Sequence, residues 1–352
     1  MRLILDNIIF QLQESGGISV VWYELLSRLL KEQDIDVCFL DNPDSANPFR
    51  KGLSIPEDSI IGGFKHVFAT RGLPVRIKDD KPFLFHSSYY RYCPNAINIT
   101  TLHDFTNEYF VKGIKKRLHT WQKFNALRNS RRIVCISENT KRELLHFLPD
   151  IGEEKIRVIY NGVSDDYFVT DAPPLSPLPY PSGSYMLFVG TRTAYKNFFL
   201  VCRSLKETKY NLVIVGSQLS ASEKRQIEQY LPPSRYKCMG FIKNGDLNML
   251  YNHAACLAYP SFYEGFGIPI PEAQKAGCPV IAYRATSVPE VCGESPLLMD
   301  RADEATFLEK LRLLDNRQLM KEVCAKGIEN AKRFTWDAMY QSYLRLYEEL
   351  WR

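Results

Sequence analysis

Two glutamates lie eight positions apart in SFYEGFGIPIPEAQKAG, the segment of residues 261–277. Glu264 precedes a Gly-Phe-Gly turn, and Glu272 falls in the first turn of the helix predicted after it. Gly265 and Gly267 allow the main chain to approach a ligand closely, and the free N–H groups at the start of a helix attract an anion. Carboxylates beside such a turn can accept hydrogen bonds from sugar hydroxyls. The pattern therefore predicts a site for a molecule that contains both a diphosphate and sugar hydroxyls. Taken alone, each acid is equally well explained as an ordinary loop or helix-start residue.

Two basic residues follow a predicted strand in FVGTRTAYKN, residues 188–197. The guanidinium of Arg192 can donate paired hydrogen bonds to phosphate oxygens, and Lys196 adds a compact positive charge. Together they can stabilise a departing diphosphate without a metal ion. A polar surface loop is the alternative explanation for this pair.

Two pairs of residues in the first half of the chain are further candidates. Gly16 and Gly17 open a predicted helix, so their amides could meet a phosphate or an acceptor. His103 and Asp104 follow the predicted strand that ends at residue 102. The alternatives are a tight glycine turn with positive φ and a structural histidine at a capped strand end.

Short apolar segments alternate with helical segments along the chain, a pattern typical of βαβ units and parallel sheets. The predicted strands lie near residues 2–9, 35–40, 83–86, 97–102, 132–136 and 156–159, and then near 185–190, 211–216, 255–260 and 279–283. In doubly wound sheets ligands bind beyond the carboxyl ends of strands, where the candidate residues fall. The proline-rich stretch 171–184 resists both helix and central strand and predicts a domain boundary. We expect an α/β protein with domains over residues 1–172 and 173–334 and a final helix over 335–352.

Composition excludes several classes of protein. The 352 residues are 45% apolar, enough for two domains with buried cores, and no apolar run is long enough to span a membrane. The nine cysteines are scattered and odd in number, which predicts reduced thiols in a cytosolic protein rather than a disulfide framework or a zinc site. The net charge of +5 is too small to indicate nucleic-acid binding. No G-x-G-x-x-G, P-loop or H-E-x-x-H sequence is present, so no nicotinamide, metal or other cofactor is expected.

The segment E-GFGIPIP-E resembles the Glu-x7-Glu motif of retaining glycosyltransferases of family 4. That resemblance implies the GT-B fold, which has two Rossmann-like domains that face each other across a cleft. The N-terminal domain would bind the acceptor and the C-terminal domain the nucleotide sugar. The last helix would pack back on the N-terminal domain. The resemblance further implies that Glu272 binds ribose hydroxyls and Glu264 the hydroxyls of the donor sugar. The implied diphosphate contacts are Arg192, Lys196 and the main chain around Gly265, Phe266, Gly267 and Ile268. Gly16 and Gly17 would contact phosphate or acceptor. His103 would lie near the donor sugar and the acceptor hydroxyl, and Asp104 would orient His103 or the acceptor.

The same resemblance implies a reaction. A hexose would pass from a nucleotide diphosphate sugar to a glycan or lipid-linked glycan, with retained anomeric configuration and no metal. GTRTAYKN and LHDF together resemble mannosyltransferases of bacterial surface polysaccharide and O-antigen assembly, which favours GDP-mannose or a derivative over UDP sugars. A sugar-nucleotide epimerase and an inactive homologue that only binds a partner are the alternatives.

Residues 111–132 contain eight Lys or Arg residues and no acid, with apolar residues at helical spacing. These apolar residues are Ile114, Leu118, Trp121, Phe124 and Leu127. A basic amphipathic helix of this kind can lie on anionic lipid, as expected of a peripheral protein at the inner face of the cytoplasmic membrane. The alternative, which we favour from sequence, is that the apolar stripe packs into the core of the domain.

Overall fold

The computed structural model describes residues 1–14, 16–64, 72–173 and 177–352. The chain folds into two compact units, one formed by Met1–Gly162 with Trp336–Arg352 and the other by Val163–Thr335. Each unit contains a parallel sheet with helices, as the alternating sequence pattern predicts.

Among the described residues of the first unit, the sheet has seven strands in the order β3-β2-β1-β4-β5-β6-β7, all parallel. The strands are β1 (Arg2–Asp6), β2 (Asp36–Leu40), β3 (Ile60–Gly62), β4 (Leu84–Ser87), β5 (Ile97–Leu102), β6 (Arg132–Cys135) and β7 (Ile156–Val158). The order reverses between β1 and β4, and such a reversal opens a crevice at the carboxyl ends of the strands. The predicted first strand is too long, since the chain turns after Asp6 into a short helix.

The described helices of this unit each bury one or more side chains. They are α1 (Ile9–Leu12), α2 (Gly17–Leu29), α3 (Pro48–Lys51), α4 (Thr106–Phe110), α5 (Gly113–Arg128) and α6 (Glu138–Phe147). The predicted N-cap of α6 is confirmed, because the hydroxyl of Ser137 accepts a hydrogen bond from the amide of Thr140 at 3.0 Å.

In the second unit the sheet has six strands in the order β10-β9-β8-β11-β12-β13, again all parallel. The strands are β8 (Tyr185–Val189), β9 (Asn211–Val215), β10 (Tyr236–Gly240), β11 (Cys256–Tyr259), β12 (Val280–Tyr283) and β13 (Leu298–Met299). The helices are α7 (Phe198–Leu205), α8 (Ala221–Ile227), α9 (Asn244–His253), α10 (Pro269–Lys275), α11 (Val288–Cys292), α12 (Glu304–Leu313) and α13 (Arg317–Ala331). The reversal here lies between β8 and β11, the two strands that precede the predicted diphosphate and glutamate residues.

The last helix, α14 (Trp336–Trp351), belongs to the first unit. Its Asp337 forms an ion pair of 2.7 Å with Arg28 of α2. Its Tyr347 hydroxyl lies 2.7 Å from Nδ1 of His86 in β4. These contacts tie the end of the chain to the centre of the first sheet.

Residues 163–172, which the sequence-based division assigns to the N-terminal domain, pack in the second unit. The reason is a set of hydrogen bonds to α9: the amide of Phe168 donates to Asn248 at 3.1 Å, and the amide of Thr170 donates to Asn252 at 2.9 Å. Part of the proline-rich stretch that predicted the boundary, residues 174–176, lies outside the described residues.

All nine cysteines are free thiols, and seven of them are buried, as their scattered spacing predicts. Within the described ranges no helix has both the length and the apolar content that crossing a membrane would require.

Candidate functional site

The carboxyl ends of β8 and β11 bring a lysine and a glutamate together in the second unit. Lys196 ends a 3-10 turn that follows β8, and Glu264 lies in the loop after β11. Their Nζ and Oε1 atoms are 2.6 Å apart, and Nζ also lies 3.3 Å from the hydroxyl of Tyr259. Burial, and next the charge of Glu264, raise the pKa of Tyr259, so this hydroxyl stays protonated and can donate to the carboxylate. The cluster presents a cation, an anion and a phenol at one edge of the sheet.

Arg192 lies in the same loop as Lys196 but turns toward α8. Its Nε forms a 2.6 Å ion pair with Glu223, and one terminal nitrogen, NH2, donates to Ser217 and to the carbonyl of Gln218, both at 3.1 Å. The hydrogen bond from Arg192 lowers the pKa of Glu223 to about 2, so this pair is charged throughout the physiological range. The other terminal nitrogen, NH1, is buried and has no hydrogen-bond partner within the described residues. The guanidinium is therefore held rigidly with donor capacity to spare.

The loop that carries Glu264 is fixed by residues that sequence reasoning did not assign to the site. The amide of Glu264 donates to the hydroxyl of Thr286 at 2.9 Å. The buried hydroxyl of Ser287 lies 2.9 Å from the carbonyl of Glu264 and 3.2 Å from that of Phe266. Both residues follow β12, the strand beside β11, and this position at the same sheet edge was the available sequence signal.

The turn between the two glutamates contains two glycines, and one of them has a backbone conformation that favours glycine. Gly267 has a φ of +89°, a conformation that L side chains rarely adopt. A Cβ atom there would also lie 3.4 Å from Tyr259 and Ile270. The predicted donation from the main-chain amides of Phe266, Gly267 and Ile268 stays a prediction.

Glu272 is in the first turn of α10, as predicted, and is surrounded by tyrosines. The buried hydroxyl of Tyr251 donates to its Oε2 at 3.1 Å. Burial raises the pKa of Glu272 to about 7, although hydrogen bonds from Tyr251 and Tyr167 oppose that shift. Glu272 thus changes charge near neutral pH, in contrast to an exposed helix-start glutamate.

In the first unit, Gly16 and Gly17 open α2 as predicted. Gly16 is extended, with φ 168°, so the tight turn with positive φ is not formed. A Cβ atom on Gly17 would meet nothing within 4 Å, which leaves open space at the start of the helix.

His103 and Asp104 follow β5, and their side chains have different surroundings. His103 is buried, and burial lowers its pKa to about 4, so the imidazole is neutral at physiological pH. Oδ1 of Asp104 accepts from the amide of Thr106 at 2.9 Å and so stabilises the start of α4. The sequence left open whether Asp104 has a structural or a functional role. This local hydrogen bond is a structural role.

A buried carboxylate at the strand reversal of the first unit was also missed. Oδ2 of Asp6, the last residue of β1, accepts from the hydroxyl of Ser87 at 2.8 Å, and Oδ1 lies 3.2 Å from NH1 of Arg91. Burial raises the pKa of Asp6, while Arg91 and Ser87 lower it. The sequence signal was an acid that interrupts an apolar stretch, followed after β4 by an arginine.

No group of three or more His, Cys, Asp or Glu side chains suited to hold a metal ion occurs in the described part of the chain. The positive charge at the candidate site comes from Arg192 and Lys196.

Comparison with known proteins identifies relatives for both halves. Residues 15–167 match the family model described as Glycosyltransferase Family 4, and residues 178–334 match that of glycosyl transferases group 1. The O-antigen chain mannosyltransferase B of Escherichia coli is 27% identical over 297 residues, 78% of this chain and 76% of that protein.

Two solved structures share the fold over nearly their whole length. Sucrose-phosphate synthase from Thermosynechococcus elongatus has a TM-score of 0.73 at 19% identity, covering 100% of this chain and 99% of that one. HepE from Anabaena, in complex with UDP and glucose, has a TM-score of 0.71 at 15% identity, covering 99% of this chain and 100% of that one. At these identities the likeness shows the fold alone.

Proposed function

Because the chain belongs to the glycosyltransferases of family 4 and has their GT-B fold, we propose that it transfers a hexose from a nucleotide diphosphate sugar to a glycan or lipid-linked glycan. The family, the fold and the enzyme class predicted from the glutamate segment are thereby confirmed. The donor we propose is GDP-mannose or a derivative, and the pathway is surface polysaccharide or O-antigen biosynthesis. The similarity to an O-antigen mannosyltransferase supports that choice.

The observation that carries the proposal is the 2.6 Å pair of Lys196 and Glu264 beside the strand reversal of the second unit. A lysine that reaches both a carboxylate and a phenol can exchange those contacts for phosphate oxygens when a donor binds. Glu264 is then released to accept hydrogen bonds from the donor sugar, and the positive charge of Arg192 in the same loop adds to the attraction for the diphosphate. This arrangement stabilises the charge that develops on the leaving group.

The chemistry we propose keeps the anomeric configuration of the hexose and needs no metal ion. The bond from the anomeric carbon to the diphosphate oxygen breaks, and the acceptor oxygen bonds to the same face of the sugar. The departing phosphate takes the acceptor proton. The neutral imidazole of His103 and the carboxylate of Asp104 are proposed to orient the acceptor hydroxyl and the donor sugar.

The purified full chain tests this function against a panel of GDP- and UDP-linked hexoses, with and without lipid-linked glycan acceptors. We expect release of GDP from GDP-mannose that depends on acceptor and persists in EDTA, and a product with the anomeric configuration of the donor by NMR. Epimerised donor without acceptor would instead indicate an epimerase, and no turnover with any donor would indicate an inactive homologue. A requirement for divalent metal would contradict the proposed role of Arg192 and Lys196.

The pKa of Glu272 leads to a pH-dependent affinity for the donor. Ribose hydroxyls donate hydrogen bonds to the ionised carboxylate, so the donor binds best when Glu272 has lost its proton. With a pKa of about 7 in the free protein, the affinity for GDP-mannose should rise up to about tenfold from about pH 6 to about pH 8. Isothermal titration calorimetry at several pH values measures this.

Glu272→Gln is the control for that titration, because glutamine has no proton to lose in this range. Its affinity should be lower than that of the wild type at about pH 8, with a flat pH profile. A flat profile for the wild type would contradict the proposed contact with ribose. The diphosphate of a nucleotide sugar is esterified at both ends, so its own ionisation does not interfere.

A further inference from the structure

Helix α5 buries three of its polar side chains and exposes three of its large apolar side chains. His119, Gln122 and Lys123 are buried together with Ala126 and Leu127, at the spacing of one helix face. This is the reverse of the usual surface helix, in which the apolar stripe faces the core.

Strong polar contacts hold the buried face of α5 in place. Lys123 is completely buried, and its Nζ lies 2.6 Å from Oε2 of Glu108 and 2.8 Å from the carbonyl of Asp104. The hydroxyl of Thr120 donates to Oε1 of Glu108 at 2.9 Å. Nε2 of His119 lies 2.7 Å from the hydroxyl of Tyr89. Because a buried ion pair is disrupted only at a large energetic penalty, these contacts fix which side of the helix faces outward.

The outward side of α5 carries three large apolar residues at helical spacing. Ile114 is 83% exposed, Leu118 49% and Trp121 51%. The expectation that this stripe packs into the core is therefore wrong for these three residues, and it is correct only for Leu127 and in part for Phe124. Lys123, one of the eight basic residues of this segment, is buried. Contiguous exposed apolar residues of this size mark an interaction site.

Within residues 111–132 the charges all have one sign. Lys112, Lys115 and Arg117 are exposed and Lys116 is half-buried, and residues 111–132 contain no acid. We call the set of Lys112, Ile114, Lys115, Lys116, Arg117, Leu118 and Trp121 the outward face. A second copy of the chain is a poor partner for it, since a two-fold contact would bring like charges together. A bilayer with anionic headgroups complements both the charges and the apolar side chains.

We propose that the outward face of α5 lies on an anionic lipid bilayer, with Ile114, Leu118 and Trp121 in the interfacial region and the basic residues among the headgroups. This membrane contact rests on the proposed function, because a lipid-linked acceptor is presented to the enzyme at a bilayer. The helix joins this surface to the acceptor side of the first unit, since Lys123 holds the carbonyl of Asp104, next to His103.

Vesicle flotation of the full chain tests the proposal without donor or acceptor, so that its failure and that of the proposed function can be distinguished. We expect the wild type to float with vesicles of phosphatidylcholine and phosphatidylglycerol and to stay behind with phosphatidylcholine alone. Two variants should each lower the bound fraction at least about tenfold: Lys115→Glu/Lys116→Glu/Arg117→Glu and Leu118→Ser/Trp121→Ser. The altered residues are exposed or half-exposed, so thermal melting should match that of the wild type.

Matched controls come from exposed residues of the second unit. Lys321→Glu/Lys326→Glu changes charge, Phe168→Ser removes an apolar side chain, and both should float like the wild type. Equal flotation of the wild type and either outward-face variant would overturn the proposal. So would a wild type that ignores anionic vesicles but forms a dimer that Leu118→Ser/Trp121→Ser disrupts, since the face would then bind a second copy.

Discussion

Replacing Lys196 with methionine is expected to lower kcat/KM for the sugar donor by about 10- to 150-fold. The ammonium group makes a charge-assisted contact of 2.6 Å in the free protein, and we propose that it makes an equivalent contact with the diphosphate. One such contact contributes about 1.5–3 kcal/mol, and each 1.4 kcal/mol or so corresponds to about a tenfold change in rate. Methionine keeps most of the side-chain volume and removes the charge. Steady-state kinetics with donor and acceptor measure the effect.

Lys206→Met is the matched control for that substitution. Lys206 is an exposed lysine of the same unit whose side-chain nitrogen lies 3.9 Å from Glu207, so its loss should leave kcat/KM unchanged. A Glu264→Gln/Lys196→Met double variant should lose less than the two single losses added together, because the residues contact each other. Near-normal activity of Lys196→Met would contradict the proposed diphosphate contact.

Replacing Lys123 with methionine is expected to lower the free energy of unfolding of the first unit by about 3–5 kcal/mol. Lys123 and Glu108 are almost completely buried, and the substitution would leave the carboxylate without its cation. Burial alone would raise the pKa of Glu108, but the nearby His119 and the charge and hydrogen bond of Lys123 lower it to about 2. Removal of the lysine therefore leaves an acid that is destabilising whether it stays ionised or takes up a proton.

Urea unfolding, monitored by tryptophan fluorescence, measures this loss of stability in the first unit. All four tryptophans, Trp22, Trp121, Trp336 and Trp351, lie in the first unit. The double variant Glu108→Met/Lys123→Met removes both charges and should recover most of the lost stability. A single-variant loss below about 1 kcal/mol would show that the pair does not hold α5 in place.

The alternating pattern predicted most of the fold because central strands bury both faces and are therefore continuously apolar. It missed β3, β10 and β13, which lie at the edges of the two sheets or are only two residues long. In β10 only Gly240 is buried, so the segment lacks the apolar run that identifies a central strand.

The candidate site could be predicted residue by residue but not as a set of contacts. Lys196 and Glu264 each follow a strand in the sequence, yet only the strand order shows that β8 and β11 are neighbours. Ser220 and Glu223 form a capping box that is readable from their spacing. The ion pair of Glu223 with Arg192 depends instead on how α8 is placed beside the loop after β8.

Helix α5 shows why a periodic pattern does not decide which face is buried. Its apolar residues recur at helical spacing, and the usual reading places them in the core. The structure buries the opposite face because Lys123 is paired with Glu108, a residue of the preceding helix. Sequence spacing gives no sign of that pairing.

A crystal structure of the full chain with bound GDP-mannose tests the central claim most directly. We predict that the diphosphate lies at the carboxyl ends of β8 and β11, within hydrogen-bond distance of Arg192 and Lys196, with Glu264 on the hydroxyls of mannose and Glu272 on those of ribose. A nucleotide sugar bound elsewhere on the chain, or bound at this edge with Lys196 still paired to Glu264, would contradict the account.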